Sequence, residues 1–194
     1  MIKKLCVVTA FLLCSLLYSQ ENLGVFAGLN YSYFTDGFAK QINASNKFGL
    51  QFGVLYNVQL INKISFRPKA IFSVQGDKES ETTAPFDLNQ VDHKLTYLNF
   101  PLDFKFGNKI YIITGPQIGV LLSQNKLSQN SVTLISKYDY GLNFGAGFQV
   151  NKLFLEVGMY QGFMNLFSVP STPQQEDIRN GLFKFTVGYN GLIQ

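Results

Sequence analysis

Tryptophan is absent from this chain, histidine occurs once and cysteine twice in 194 residues. A zinc or haem centre built on His and Cys is thereby nearly excluded, because too few ligands exist. Charge is scarce as well, at 14% Asp, Glu, Lys and Arg against about 25% in an average soluble domain. The 16 basic and 12 acidic residues are spread along the chain. No nucleic-acid partner is expected, since such proteins cluster Lys and Arg on one face. Helical spacing is missing from every long stretch after residue 20. What is present is apolar, aromatic and small: 46% hydrophobic residues, 19 Phe, 10 Tyr and 17 Gly. High apolar content with low net charge excludes a disordered chain.

The one continuous apolar run is residues 5–18, preceded by Met1-Ile2-Lys3-Lys4 and followed by Ser19-Gln20-Glu21-Asn22. A basic start, a short apolar middle and a polar exit are the layout of a secretory signal peptide. The run falls short of the roughly 20 residues a membrane-spanning helix needs. Residues 1–19 are therefore assigned as signal peptide, and residues 20–194 as a single domain. Cys6 and Cys14 both lie in the leader, so the mature chain carries no thiol and no disulfide. Leu13 before Cys14, and the apolar Leu16-Leu17-Tyr18 after it, argue against acylation at that cysteine. Lys3 and Lys4 account for two units of the formal +4, leaving the mature domain at +2.

Beyond the leader, alternation dominates. Phe48, Leu50, Phe52, Val54, Tyr56, Val58 and Leu60 share one face, against Gly49, Gln51, Gly53, Leu55, Asn57 and Gln59 on the other. Such a span exceeds the usual strand of about 5–6 residues in soluble sheets. It suits a tilted membrane-crossing strand of about 9–11 residues or slightly more. The pattern recurs near residues 23–33, 64–75, 97–106 and 138–150, and less cleanly at 110–122, 153–164 and 182–190, giving eight strands. Asn62-Lys63, Asn108-Lys109 and Asn151-Lys152 mark tight turns in which Asn supplies positive φ. The other four links, near 35–46, 77–91, 124–137 and 166–180, are longer and hold most remaining charge and proline. Short and long links in strict alternation predict an all-β, eight-stranded antiparallel up-and-down transmembrane β-barrel. Closure leaves no unpaired backbone edge in lipid.

A soluble lipocalin-like barrel has the same strand count but turns its apolar face inward. Three features favour the inverted arrangement. Glycines gather on the polar face, at Gly24, Gly28, Gly49, Gly53, Gly115, Gly119, Gly141, Gly145, Gly147, Gly158 and Gly188, where an eight-stranded barrel has little room. The other face is Phe, Leu, Val, Ile and Tyr, as a lipid-facing band requires. Aromatics gather at both ends of the spans, Tyr31, Tyr33, Phe48, Tyr138 and Tyr140 at one and Tyr56, Phe106, Phe148 and Tyr189 at the other, like interfacial girdles. The predicted lumen then contains Arg67, Lys69, Lys105 and Lys184 with Asp103, Glu156 and, near the rim, Asp139. Unpaired buried charge is costly, so these are expected to form a salt-bridged structural network that blocks the bore.

Tyr97-Leu98-Asn99-Phe100-Pro101-Leu102, Ile113-Thr114-Gly115-Pro116-Gln117-Ile118-Gly119, Tyr140-Gly141-Leu142-Asn143-Phe144-Gly145-Ala146-Gly147 and Phe185-Thr186-Val187-Gly188-Tyr189 follow in order along the chain. Together they resemble the PorT-type outer-membrane β-barrel family of Bacteroidetes, over essentially the whole mature chain. The resemblance implies an eight-stranded barrel in the cell outer membrane, with no reaction attached. A founding member's link to protein secretion does not transfer by fold. Barrels of this class commonly end on an aromatic residue, whereas here Asn190-Gly191-Leu192-Ile193-Gln194 follows Tyr189.

No catalytic, cofactor-binding or metal-binding residue is assigned. A lipid-modifying site would need Ser, His and a carboxylate at the long-loop rim. His93, with Asp92 beside it and Ser73 and Ser80 across the preceding link, is the one candidate. Adjacent strand residues face opposite ways, so Asp92 is poorly placed to orient His93. Gly145-Ala146-Gly147 precedes no helix and so is no phosphate loop. Asp77, Glu79 and Glu81 lack a calcium-loop pattern and read as a solvated charge run. The expected function is a non-enzymatic, monomeric barrel with a structural or interaction role through its long loops. The alternatives are a lipid-modifying enzyme and a secretion accessory. Expected partners are outer-membrane lipid, the barrel-insertion machinery during assembly, and an extracellular or envelope protein at the loops. No cofactor is expected.

Overall fold

The computed structural model describes residues 22–35, 47–76, 93–126, 133–134, 136–168 and 179–191. The signal peptide assigned to residues 1–19 lies outside them, as does the acidic run at 77–81. Eight strands build the barrel: β1 Leu23–Thr35, β2 Lys47–Tyr56 with a continuation Val58–Ile61, β3 Ile64–Gly76, β4 His93–Gly107, β5 Ile110–Lys126, β6 Tyr138–Val150, β7 Leu153–Gly162 and β8 Arg179–Asn190. Each pairs antiparallel with its sequence neighbours, and β1 closes the ring on β8 from Gly24–Asn190 to Thr35–Arg179. No strand of the barrel is an edge, which lets sheet backbone cross a bilayer. Among the described residues no helix is long and apolar enough to cross a membrane.

Period two fixes which side chains enter. Along β6 the outward residues are exposed and the inward ones buried in strict alternation from Tyr138 to Gly145. The sense is inverted relative to a soluble protein. Phe48 is 73% exposed and Ile110 77%, while Arg67 is 0% and Asp103 2% exposed. Burying polar side chains while leaving large apolar ones outside is stable only where the outside is hydrocarbon. On the outer wall, aromatic rings pair across strands: Tyr31 with Phe48 at 5.0 Å, Phe52 with Phe72 at 5.1 Å and Phe66 with Phe104 at 5.4 Å between centroids.

The three short turns form, but Asn does not supply their positive φ throughout. Asn151 does (φ 51°), whereas the first turn uses Lys63 (φ 69°) in place of Asn62, and the second bends at Gly107 (φ 114°). The left-handed residue sits where the turn meets the strand, and that position falls at a different offset in each hairpin. Backbone bonds then tie neighbouring turns together: Gly107 N to Lys63 O, Gln149 N to Lys109 O and Asn190 N to Lys152 O, each 2.7 Å. At the opposite end, two of the long links meet. Thr133–Leu134 pairs antiparallel with Phe167–Ser168.

Three prolines interrupt the wall. The β2–β3 ladder breaks between Leu55–Lys69 and Val58–Phe66, beside Pro68. The β3–β4 ladder breaks between Pro68–Leu102 and Ile71–Asn99, beside Pro101. The β4–β5 ladder breaks between Pro101–Gln117 and Phe104–Thr114, beside Pro116. Proline has no N–H to donate, so each of three consecutive seams loses a rung at the level of Lys69 and Asp103.

Candidate functional site

The lumen carries the barrel's buried polar chemistry. Arg67 and Lys69 sit two apart on β3 and so share the inner face. Arg67 is in register with Asp103 on β4. Glu156 projects from β7 on the far wall. It accepts from Arg67 Nη1, from Lys69 Nζ at 3.0 Å and from Tyr111 OH at 2.9 Å. Lys69 Nζ also lies 3.0 Å from Asp103 Oδ2. Asn143 Nδ2 donates to Asp103 Oδ1 at 3.3 Å, and Lys184 Nζ donates to Asn143 Oδ1 at 2.5 Å. Strands β3, β4, β5, β6, β7 and β8 thus reach one another through a single network.

Aromatic rings complete it. The Arg67 guanidinium lies 4.6 Å from the Phe154 ring centroid and 5.7 Å from that of Tyr111. Phe26, Leu55, Ile71 and Phe154 form a buried apolar cluster within the bore. Glycine makes room for such rings: a Cβ at Gly147 would strike Tyr111, and one at Gly188 would strike Phe154. The cavity among Gln51, Lys69, Asp103, Glu156, Lys184 and Thr186 measures about 30 Å³, room for about one or two waters.

Toward the long-loop end the lumen is lined by hydrogen-bonded carboxamides, a hydroxyl and the Asp139 carboxylate. Asn30 Nδ2 and Gln75 Nε2 both donate to Ser73 Oγ, at 2.9 and 3.0 Å. Asn180 Nδ2 donates to Gln75 Oε1 at 2.8 Å and to Asp139 Oδ2 at 3.3 Å. Toward the turns, Lys105 Nζ donates to Gln149 Oε1 at 2.7 Å and lies 4.2 Å from the Tyr111 centroid.

All seven lumen charges singled out from sequence face inward, but they do not all pair. Arg67, Lys69, Asp103 and Glu156 are joined by ion pairs. Among the described residues, Lys105 and Lys184 have no carboxylate within ion-pair distance and bond instead to the carboxamides of Gln149 and Asn143. The reason is reach. Glu156 is already engaged by three other donors, and Asn143 stands between Lys184 and Asp103. The sequence reading passed over Tyr111, which shares Glu156, and the lumenal Tyr97 and Tyr160. The signal was available: Tyr111, Ile113, Gly115, Gln117 and Gly119 share one parity on β5.

Of the alternative site near the long-loop rim, Ser73 is the one member whose side chain is described. Ser73 is fully buried in the lumen and engaged by Asn30 and Gln75, so it does not face lipid. The His93 backbone opens β4 opposite Lys126. Asp92 and Ser80 lie outside the described residues. Among the described residues no group of three or more His, Cys, Asp or Glu is placed to hold a metal ion.

Comparison with known proteins agrees with this architecture. Residues 18–168 match the family described as outer membrane protein beta-barrel domain. Neisserial surface protein A, a solved structure, superposes with a TM-score of 0.58 at 13% identity, covering 87% of this chain and 96% of that one. Ail, the attachment invasion locus protein of Yersinia pestis, gives 0.44 at 17% identity, covering 87% and 98%. No curated protein sequence matches the chain. The matched family model spans most of the chain, and the closed ring has lipid-compatible walls. The chain belongs to the outer membrane protein beta-barrel domain family and is an eight-stranded barrel of the cell outer membrane.

Proposed function

We propose that this protein is a non-conducting, non-enzymatic surface barrel that works through the long links at one end. The observation that carries the reading is the bridge from Arg67 and Lys69 on one wall to Glu156 on the other, with a cavity of only about 30 Å³ beside it. An eight-stranded bore is only wide enough for side chains to fill, and here charged pairs fill it. Such a barrel offers the outside a rigid frame for loops, the usual carriers of recognition. The partner class proposed is an extracellular or envelope protein, with the barrel inserted as a monomer by the assembly machinery. The motif resemblance to the PorT-type family of Bacteroidetes supports the same reading.

Purified barrel reconstituted in a planar bilayer tests it. No stepwise conductance is expected from the wild type. The Glu156→Ala/Arg67→Ala double variant, which removes the bridge, is expected to leak. Open-channel steps from the wild type would contradict the reading. An enzyme reading makes a separate prediction: His93→Ala would change the lipid A of the producing strain, whereas an unchanged lipid A is expected here.

A further inference from the structure

A polar vestibule of about 320 Å³ opens at the end of the barrel formed by the short turns. Outer-membrane barrels direct their short turns to the periplasm. Asn57, Gln59, Ser65, Lys105, Lys109 and Gln149 line it with the intervening turn residues, and neither a carboxylate nor an apolar side chain takes part. The carboxamide walls are held by the fold. Gln59 Nε2 donates to Ile61 O at 2.6 Å and to Ile64 O at 3.2 Å, and Ser65 Oγ donates to Gln59 Oε1 at 3.0 Å. Gln149 Nε2 donates to Asn151 O at 3.0 Å.

Lys105 is the unusual member. It is 6% exposed, and its one hydrogen bond among the described residues goes to the neutral Gln149 Oε1. Among the described residues no carboxylate lies within ion-pair distance of it, and Glu156 above is already shared by Arg67, Lys69 and Tyr111. A buried ammonium without a counter-charge is costly. Two of its three N–H donors remain for a ligand. Lys109, exposed on the rim, adds a second positive charge. Asn57 Oδ1, buried in the same lining, has no hydrogen-bond partner among the described residues and can accept from a hydroxyl.

We infer that this vestibule binds a small oxyanion of the phosphate or carboxylate class, with Lys105 as its buried counter-charge, Lys109 at the rim and Asn57 accepting a ligand hydroxyl. Hydrogenphosphate carries both the charge and the O–H donor that the lining asks for. Free phosphate solutes of the periplasm present that group, and phosphatidylglycerol headgroups at the inner rim present a phosphodiester beside glycerol hydroxyls.

The test uses the full barrel, isotope-labelled, in a non-ionic detergent. Inorganic phosphate is titrated at constant ionic strength while the amide resonances of Gly107, Gln149 and Asn151 are followed. A second arm replaces phosphate with phosphatidylglycerol doped into the micelles. Saturable shifts are expected, absent with chloride alone, and about tenfold weaker in Lys105→Gln, the size expected for losing a charge-assisted bond. Lys109→Gln, in an exposed turn, keeps the test decisive if Lys105→Gln folds poorly, and a several-fold weakening is expected there. Saturation by inorganic phosphate assigns a free solute, and saturation in the lipid arm alone assigns a headgroup. Shifts that do not saturate in either arm, that chloride reproduces, or that both variants leave unchanged overturn the inference.

Discussion

Glu156 holds the lumen together by accepting from Arg67, Lys69 and Tyr111 at once. Glu156→Gln keeps the volume but leaves two cations without their shared counter-charge. Breaking one partner of a buried pair costs about 3–5 kcal/mol. The urea midpoint of the folded barrel in detergent should fall accordingly, and an unchanged midpoint would show that the network contributes nothing. Gly147 gives a second residue-scale test. A side chain there meets the Tyr111 ring, so Gly147→Val should destabilise by about 1–3 kcal/mol, the usual cost of overpacking. Gly147→Val combined with Tyr111→Ala should recover part of that loss. The parity of Arg67, Lys69, Asp103, Lys105, Glu156 and Lys184 was legible in the sequence, because alternation in a closed sheet assigns faces directly. Their partners were not legible. Contact between Arg67 and Glu156 spans 89 residues and depends on bore diameter and strand tilt, which alternation does not encode.

At the scale of the strand, eight spans and three short turns were readable because turn residues punctuate long period-two runs. Turn geometry was less so: Lys63 takes the positive φ expected of its neighbour Asn62. The pairing of Thr133–Leu134 with Phe167–Ser168 also escaped, since two-residue strands carry no periodic signal. Pro68, Pro101 and Pro116 were visible as residues, yet their alignment across β3, β4 and β5 emerges only once the register is known. Seams that lack a rung should open more readily. Amide exchange in micelles should therefore be faster at Ala70, Asp103 and Thr114 than at Glu156 and Thr186, which sit in an unbroken β7–β8 ladder. Pro116 faces outward, so Pro116→Val restores a donor without crowding the lumen. It should slow exchange at Leu102 and Thr114 and add about 0.5–1.5 kcal/mol, the net worth of one hydrogen bond. Equal exchange in all seams would show that the missing rungs are compensated.

For the whole molecule, the decisive feature is the inversion of burial. Phe48, Leu50, Phe52, Tyr138, Phe144 and Ile110 stand outside while Arg67, Asp103, Gln117 and Asn143 are enclosed. The sequence pointed to this arrangement through glycine placement and aromatic ends, and not through alternation, which a soluble barrel shares. Function is less legible than fold for a physical reason. The wall is constrained by lipid and closure, whereas recognition falls to links that follow no period. The most direct test of the central claim is electrophoretic mobility of the protein from an isolated outer-membrane fraction, with and without boiling in dodecyl sulfate. A closed barrel should be found in that fraction and migrate as a compact band that shifts, only on boiling, to the position of the unfolded mature chain, below the 21.8 kDa of the full sequence by the mass of the leader. Recovery as a soluble periplasmic protein with no heat-dependent shift would contradict the account.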